Sequence, residues 1–355
     1  MSEVRADRSP AAAALLRECL VWDNHGCMPV SRPHDTSFLP QLQRYRAAGV
    51  DAVMLNVGFG DMGVEDHLRV LAGMRRWLKE RHEEYVLIAT AADVERARAT
   101  GRLAVGFDIE GANAIADKPS LVQLYYDLGV RWMLLAYNRN NRVGGGCQDE
   151  DTGLTPYGRE VIAEMERVGM QVCCSHTGHR TVRDVFEVAT RPVIFSHSCA
   201  SAVHAHPRNV PDDLIRACAA TGGVVGINGL STFLGTAADL PEAFARHLDH
   251  VVQLVGPQHA ALGLDYVFDR QELDDFLATM RQSFPPGLGY DERVEFVAPE
   301  HLEEVVAILL SWGYLRADLE AVLGGNLLRL ARAVWKAPSL AAERTGGATP
   351  ANPGR

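Results

Sequence analysis

Short apolar runs recur along this chain, separated by stretches in which apolar residues return at helical spacing. The runs are "CLVWDNH" (19–25), "DAVMLNVGF" (51–59), "LAVGFDIEG" (103–111), "RWMLLAYN" (131–138), "MQVCCSH" (170–176), "PVIFSH" (192–197), "GVVGING" (223–229) and "AALGLDY" (260–266). Several are apolar on both faces, as parallel strands covered on both sides must be. Between them, 62–81 carries leucines and arginines at helical spacing, 154–169 opens with Thr-Pro and closes at glycine, and 210–223 has proline and acids in its first turn. Eight strands, each followed by a helix or a long loop, make the tally of a (β/α)8 TIM barrel. An open doubly wound sheet is the competitor, but no glycine-rich phosphate loop follows the first run.

The pattern predicts one barrel over 19–336, preceded by a segment at 1–18, with no internal repeat and no linker. Residues 268–299 read as an irregular excursion after the eighth strand, a lid. The small, polar, Pro/Gly-rich stretch 337–355 reads as a disordered tail.

At 355 residues, the length suits a single barrel, and 47% hydrophobic with 23% charged residues supplies a large core. The net charge of −10 argues against nucleic acid or an anionic membrane as partner. It leaves small substrates open, because one local basic residue can bind a carboxylate. The N-terminal residues hold no apolar run of signal-peptide length, and no stretch approaches the roughly 18 apolar residues of a spanning helix. Seven cysteines are an odd count, with Cys173 and Cys174 adjacent, which fits a reducing compartment. The expectation is a soluble cytoplasmic protein.

Chemistry collects where a barrel keeps its active site, at the C-terminal strand ends. The stretch "VWDNHGCMP" (21–29) delivers Asp23, His25 and Cys27 at alternate positions, which a strand would place on one face. The other ends supply Glu110, Tyr137, His176, His197 and Asp265. Three histidines and a glutamate from four strands suit a divalent metal such as zinc. Taken singly, each has a plainer role: a hydrogen-bonded histidine at a barrel mouth, a glutamate capping the next helix, an aspartate stabilising a loop. Their joint placement points to one site.

At these residues the chain resembles the renal (membrane) dipeptidase family, peptidase family M19 of the amidohydrolase superfamily, from about residue 20 to 335. The most specific stretch is "RPVIFSHSCASAVHAHPRNVPDDLI" (191–215). "GFDIEG", "GLTPYGREVIAEMERVGM", "CCSHTG" and "GGNLLRLARAVW" (324–335) agree in order and spacing. The resemblance implies a (β/α)8 barrel holding two zinc ions, bridged by Glu110 and a hydroxide that attacks the scissile amide. His25 would bind one ion, His176 and His197 the other. Arg208 would grip the substrate's C-terminal carboxylate, and Asp265 would carry protons between the hydroxide and the leaving amine. The implied substrate is a dipeptide or N-acyl amino acid with a free carboxylate, and the implied assembly is a homodimer.

Two positions depart from the family pattern. Cys27 stands where the family has a second aspartate as metal ligand. Three readings stay open: a thiolate ligand at about 2.3 Å from zinc, a single-metal enzyme, or a small buried residue in a barrel that no longer hydrolyses. Tyr137 stands where the family has a histidine contacting the substrate carbonyl; a phenol donates a hydrogen bond to an oxyanion but cannot be a cation near neutral pH. The polar, glycine-rich 138–153 that follows is expected to form a mobile loop over the site. A specialised biosynthetic amidohydrolase with altered metal ligands and a catalytically silent ligand-binding barrel are the alternatives.

Overall fold

A computed structural model describes residues 9–29 and 36–339. Residues 1–8 of the predicted N-terminal segment and 340–355 of the predicted tail lie outside the described residues.

The expected runs become β1 (Trp22–Cys27), β2 (Ala52–Phe59), a short β3 (Tyr85–Leu87), β4 (Leu103–Glu110), β5 (Val130–Leu134), β6 (Gln171–Cys173), β7 (Val225–Ile227), β8 (Ala260–Leu262) and β9 (Tyr266–Val267). Their ladders are parallel and run in the order β6-β5-β4-β2-β1-β8-β7. The gap between β6 and β7 is filled by the run at 192–197. Ile194 bridges Cys173 of β6 and Phe195 bridges Val225 of β7, both parallel. That closes eight staves into a barrel, as the apolar pattern predicts.

Two strands fall outside the simple count. β3 pairs the lower part of β4, where Tyr85 faces Leu103. β8 and β9 are the eighth predicted run interrupted: β8 meets Asp23 of β1, and β9 meets Gly26 and Cys27 further up. The interruption falls at Asp265, whose backbone is left-handed (φ 54°).

Every residue of β2 and β4 is buried, consistent with staves covered inside and out. The lower interior is filled by Trp22, Met54, Ala104, Trp132, Leu134 and Ile194. The helix Asn326–Val334 packs against that cluster through Leu327, Leu330 and Ala331, and Trp335 meets Trp22 edge-on at 5.7 Å. With its floor closed by apolar packing, the barrel keeps its polar interior for the C-terminal mouth.

The predicted helices form as Val64–Glu80, Pro156–Val168 and Asp212–Ala220. The second starts where Thr155 accepts from the Gly158 amide and stops at left-handed Gly169 (φ 91°). Within the excursion after β9 lies a helix, Arg270–Thr279, capped by Asp269. The glycine-rich 138–153 has an ordered set of contacts. It is knit by side-chain bonds: Asn141 donates to the Leu135 carbonyl, Asp151 accepts from Thr181, and Asp149 accepts from the Asn140 amide. Glycine serves close approach there, since a Cβ on Gly146 would lie 2.3 Å from the Asn138 backbone.

Candidate metal centre

Glu110 is the last residue of β4, and its carboxylate sits at the centre of the mouth. On one side, His25 Nε2 lies 3.3 Å from Glu110 Oε1 and 3.4 Å from Asp265 Oδ1. On the other, His176 Nε2 and His197 Nε2 lie 3.4 and 3.5 Å from Glu110 Oε2 and only 3.0 Å from each other. His25 and His197 stack with ring centres 4.0 Å apart. All of these side chains are buried.

Backbone irregularity aims them. β1 slips register between Asp23 and Gly26, so one extra residue is accommodated. Strict alternation would put Asp23, His25 and Cys27 on one face; the slip separates them. Asp23 instead accepts from the Tyr45 hydroxyl and the Leu264 amide. It is a buttress between β1, β8 and a neighbouring helix. His176 (φ 61°) and Asn138 (φ 56°), like Asp265, hold left-handed backbones that non-glycine residues adopt uncommonly.

Each imidazole is oriented through its other nitrogen. His25 Nδ1 faces Asp108 Oδ2 at 3.2 Å. His176 Nδ1 donates to Asn138 Oδ1 at 2.7 Å, and His197 Nδ1 meets Ser196 Oγ at 2.7 Å. These partners orient the rings with Nε2 toward the centre, and the Asn138 acceptor also fixes the His176 tautomer that leaves its Nε2 free for a metal. Glu110 Oε1 also accepts from Asn56, and Asp265 Oδ2 accepts from Asn228 at 2.8 Å.

The electrostatics divide along the same line. Burial, reinforced by the Arg208 charge, pushes His176 down to about 3. Burial and the neighbouring His25 hold His197 well below its usual value. Both shifts favour the neutral imidazole, and the two Nε2 atoms face one another at 3.0 Å. Burial works against a charge on His25 too, but Asp108 and Glu110 outweigh it and hold that ring well above its usual value. Burial raises Asp108 to about 7, and raises Asp265 with help from Glu110. Burial would also raise Glu110, but the His25 charge foremost, with the close His176 and His197 rings, keeps it well below the carboxylate range.

These residues fit a divalent cation. His25, Glu110 and His197 each offer a donor atom within 4.8 Å of the others, and the buried His25 Nε2 has no hydrogen-bond partner. Cys27 is not among those mutually close donors. Its thiol lines the cavity above them, beside Glu110, His176 and Asp265, and burial followed by Asp265 and Glu110 pushes it well above its ordinary value.

Tyr137 stacks on His176 with centroids 4.3 Å apart and lines the same cavity. Burial and then Glu110 push its phenol well above the usual range, so it remains a proton donor. Arg208 is buried, and its guanidinium donates to Ser198 Oγ and the His197 carbonyl, both at 2.9 Å. No carboxylate among the described residues pairs with it, and its buried Nε has no partner. All the residues singled out in the sequence thus gather at one mouth, apart from Asp23. Asp108, Asn138, Asn56, Asn228 and Ser196 were not singled out. Asp108 was findable, because it stands two before Glu110 on the same strand face. Asn56 and Asn228 were findable as lone polar residues in apolar runs. Ser196 was findable as the immediate neighbour of His197, whereas nothing local marks Asn138 as the partner of His176.

Comparison with known proteins bears on what this centre belongs to. The sequence profile of the family described as membrane dipeptidase (peptidase family M19) matches residues 12–279. An uncharacterized dipeptidase of Schizosaccharomyces pombe is 30% identical over 290 residues, covering 79% of this chain and 64% of that one. Dipeptidase verJ of Clonostachys rogersoniana is 30% identical over 257 residues, covering 71% of this chain and 61% of that one. The chain therefore spans somewhat under two thirds of these relatives' length. Among solved structures, an amidohydrolase from Pseudomonas aeruginosa superposes with a TM-score of 0.82 at 24% identity, covering 91% of this chain and 99% of that chain. A metallo peptidase from Rhodobacter sphaeroides, solved with a phosphinate mimic of the dipeptide L-Ala-D-Ala, gives 0.73 at 21%, covering 89% and 99%. At those identities the two structures speak for the fold, while the profile match carries the family: this chain belongs to the membrane dipeptidases, peptidase family M19.

Proposed function

We propose that the protein is a zinc-dependent hydrolase that cleaves the amide bond of a dipeptide or N-acyl amino acid bearing a free C-terminal carboxylate. The observation that carries this reading is the pair of neutral imidazoles facing one another at 3.0 Å over one oxygen of Glu110, with His25 on the other oxygen. On this reading Glu110, His176, His197 and His25, with or without Cys27, would hold the metal. When bound, divalent metal supplies Lewis acidity toward the scissile carbonyl and lowers the pKa of water toward neutrality.

The chain's own residues do the rest. Arg208, a buried cation without a carboxylate partner, receives the substrate carboxylate through its planar fork. Tyr137 donates to the carbonyl oxygen as negative charge builds on it. Asp265, whose raised pKa suits holding a proton, takes one from the attacking water and delivers it to the leaving nitrogen. The carbon–nitrogen bond breaks to give a carboxylate and an amine.

Cys27 favours a second reading, a specialised amidohydrolase whose altered ligand set serves one particular amide. Elemental analysis of the purified protein and of Cys27→Asp, together with a dipeptide panel, tests both. About two zinc ions per chain with dipeptide turnover supports the first. Bound metal without turnover of any ordinary dipeptide supports the second. Neither metal nor turnover would overturn both.

A further inference from the structure

The wall opposite Arg208 has no part in the chemistry above. Around the barrel the staves run β1, β2, β4, β5, β6, the Ile194–Phe195 stave, β7 and β8. Arg208 bonds to the residues just after the sixth of these, and its guanidinium carbon sits 5.4 Å over Phe233. β2 is the second stave, diametrically across. Its last residue, Phe59, meets Phe276 of the helix Arg270–Thr279 edge-on at 5.0 Å and Tyr137 at 5.2 Å. Val267, Leu273 and Leu277 join them on the cavity wall, beside Cys27. That side is aromatic and aliphatic, and the helix after β9 supplies Leu273, Phe276 and Leu277. The excursion carrying it is held in place: Asn138 Nδ2 donates to the Ser283 carbonyl at 3.0 Å, and Arg139 donates to that of Gln282 at 2.8 Å.

A substrate with its carboxylate on Arg208 and its amide over Glu110 must send its acyl portion toward β1 and β2. We infer that this chain selects substrates whose acyl portion carries a large apolar group, seated against the wall that Phe59 and Phe276 form together. The inference rests on the amide-hydrolase reading for its orientation. The group has two chemical sources, the side chain of an N-terminal residue or the chain of an N-acyl amino acid. Desolvating such a group in a formed apolar pocket, against glycine or acetyl, is worth roughly a ten- to hundredfold preference.

The test holds the C-terminal alanine constant. kcat/KM is measured for glycyl-alanine, phenylalanyl-alanine, N-acetylalanine and N-hexanoylalanine with wild-type protein and Phe276→Ala. Calorimetric binding of the same four compounds to the metal-loaded Asp265→Asn protein runs in parallel. Expected is at least a tenfold preference for the large member of one pair or both, shrinking in Phe276→Ala. The pair showing it identifies the source. Hydrolysis of all four at similar rates would overturn the inference and leave the hydrolase reading standing. No hydrolysis, but tighter binding of the large members, would sink the hydrolase reading and keep the apolar seat. Equal binding without hydrolysis would overturn both.

Discussion

Glu110 divides its site into two unlike halves. On the His176–His197 side the imidazoles are neutral, oriented by an amide and a hydroxyl, and pressed against each other at 3.0 Å. On the His25 side a single imidazole is wedged among carboxylates, with Asp108 behind it and Glu110 and Asp265 in front. The first half presents two imidazole nitrogens and one carboxylate oxygen to a common point. The second can be held by a proton alone, since three carboxylates surround one ring. Cys27, two residues beyond His25 on β1, lines the cavity above both halves, beside Glu110, His176 and Asp265. The contrast teaches that one carboxylate can sit between histidines held in opposite protonation states by their surroundings.

The sharpest way to break the comparison is to remove what both halves share. Glu110→Gln is expected to abolish hydrolysis and lower metal content at both positions; elemental analysis showing loss at one only would mean that Glu110 does not bridge. Next comes Asp265→Asn, for which kcat should fall roughly 10²- to 10⁴-fold with metal content unchanged. A parallel loss of metal would make Asp265 a ligand rather than a proton carrier.

Arg208→Met should raise KM for carboxylate-bearing substrates by one to two orders of magnitude, the equivalent of about 1.5–3 kcal/mol for charge-assisted hydrogen bonds. An amidated substrate should show no such change. The halves are then separated through their positioning residues. Asp108→Asn should weaken metal binding on the His25 side, and Asn138→Ala on the His176 side, each by roughly 10- to 100-fold. Asn138→Asp keeps an acceptor for His176 Nδ1 while losing the donor to Ser283, so it should restore most of the affinity in a chelator titration. Smallest is Cys27→Ser, which should change affinity on the His25 side if the thiol is a ligand and leave the other half untouched.

The apolar runs predict all eight staves because strands buried on both faces have no polar choice at most positions. The run at 192–197 is the instructive case. Its pairing shrinks to two bridges, yet "PVIFSH" remains legible, because hydrophobic burial rather than ladder length shapes it. The lid region was legible only as an irregularity. The Arg270–Thr279 helix inside it buries little of itself, with Leu277 its one fully buried residue, so its periodic signal is weak. The glycine-rich 138–153 is ambiguous for a related reason. Glycine marks both freedom and close contact, and only packing distinguishes them.

Of the site, the residue types and strand-end positions were determined by the sequence itself: His25, Glu110, His176, His197 and Asp265 each close an apolar run, where a barrel exposes chemistry. Alternation also placed Asp23 with them, and there local periodicity was insufficient. A one-residue slip in β1 turns His25 into the barrel and leaves Asp23 bonding to Tyr45. The tertiary structure alone decided which polar atom backs each imidazole and that Arg208 meets no carboxylate among the described residues. It also decided that an aromatic wall faces Arg208 across the mouth. Apart from the adjacent Ser196–His197 pair, those are contacts between residues about ten to hundreds of positions apart. A pattern read along the chain carries burial and period, but it does not carry which side chains the closed barrel brings within hydrogen-bond distance.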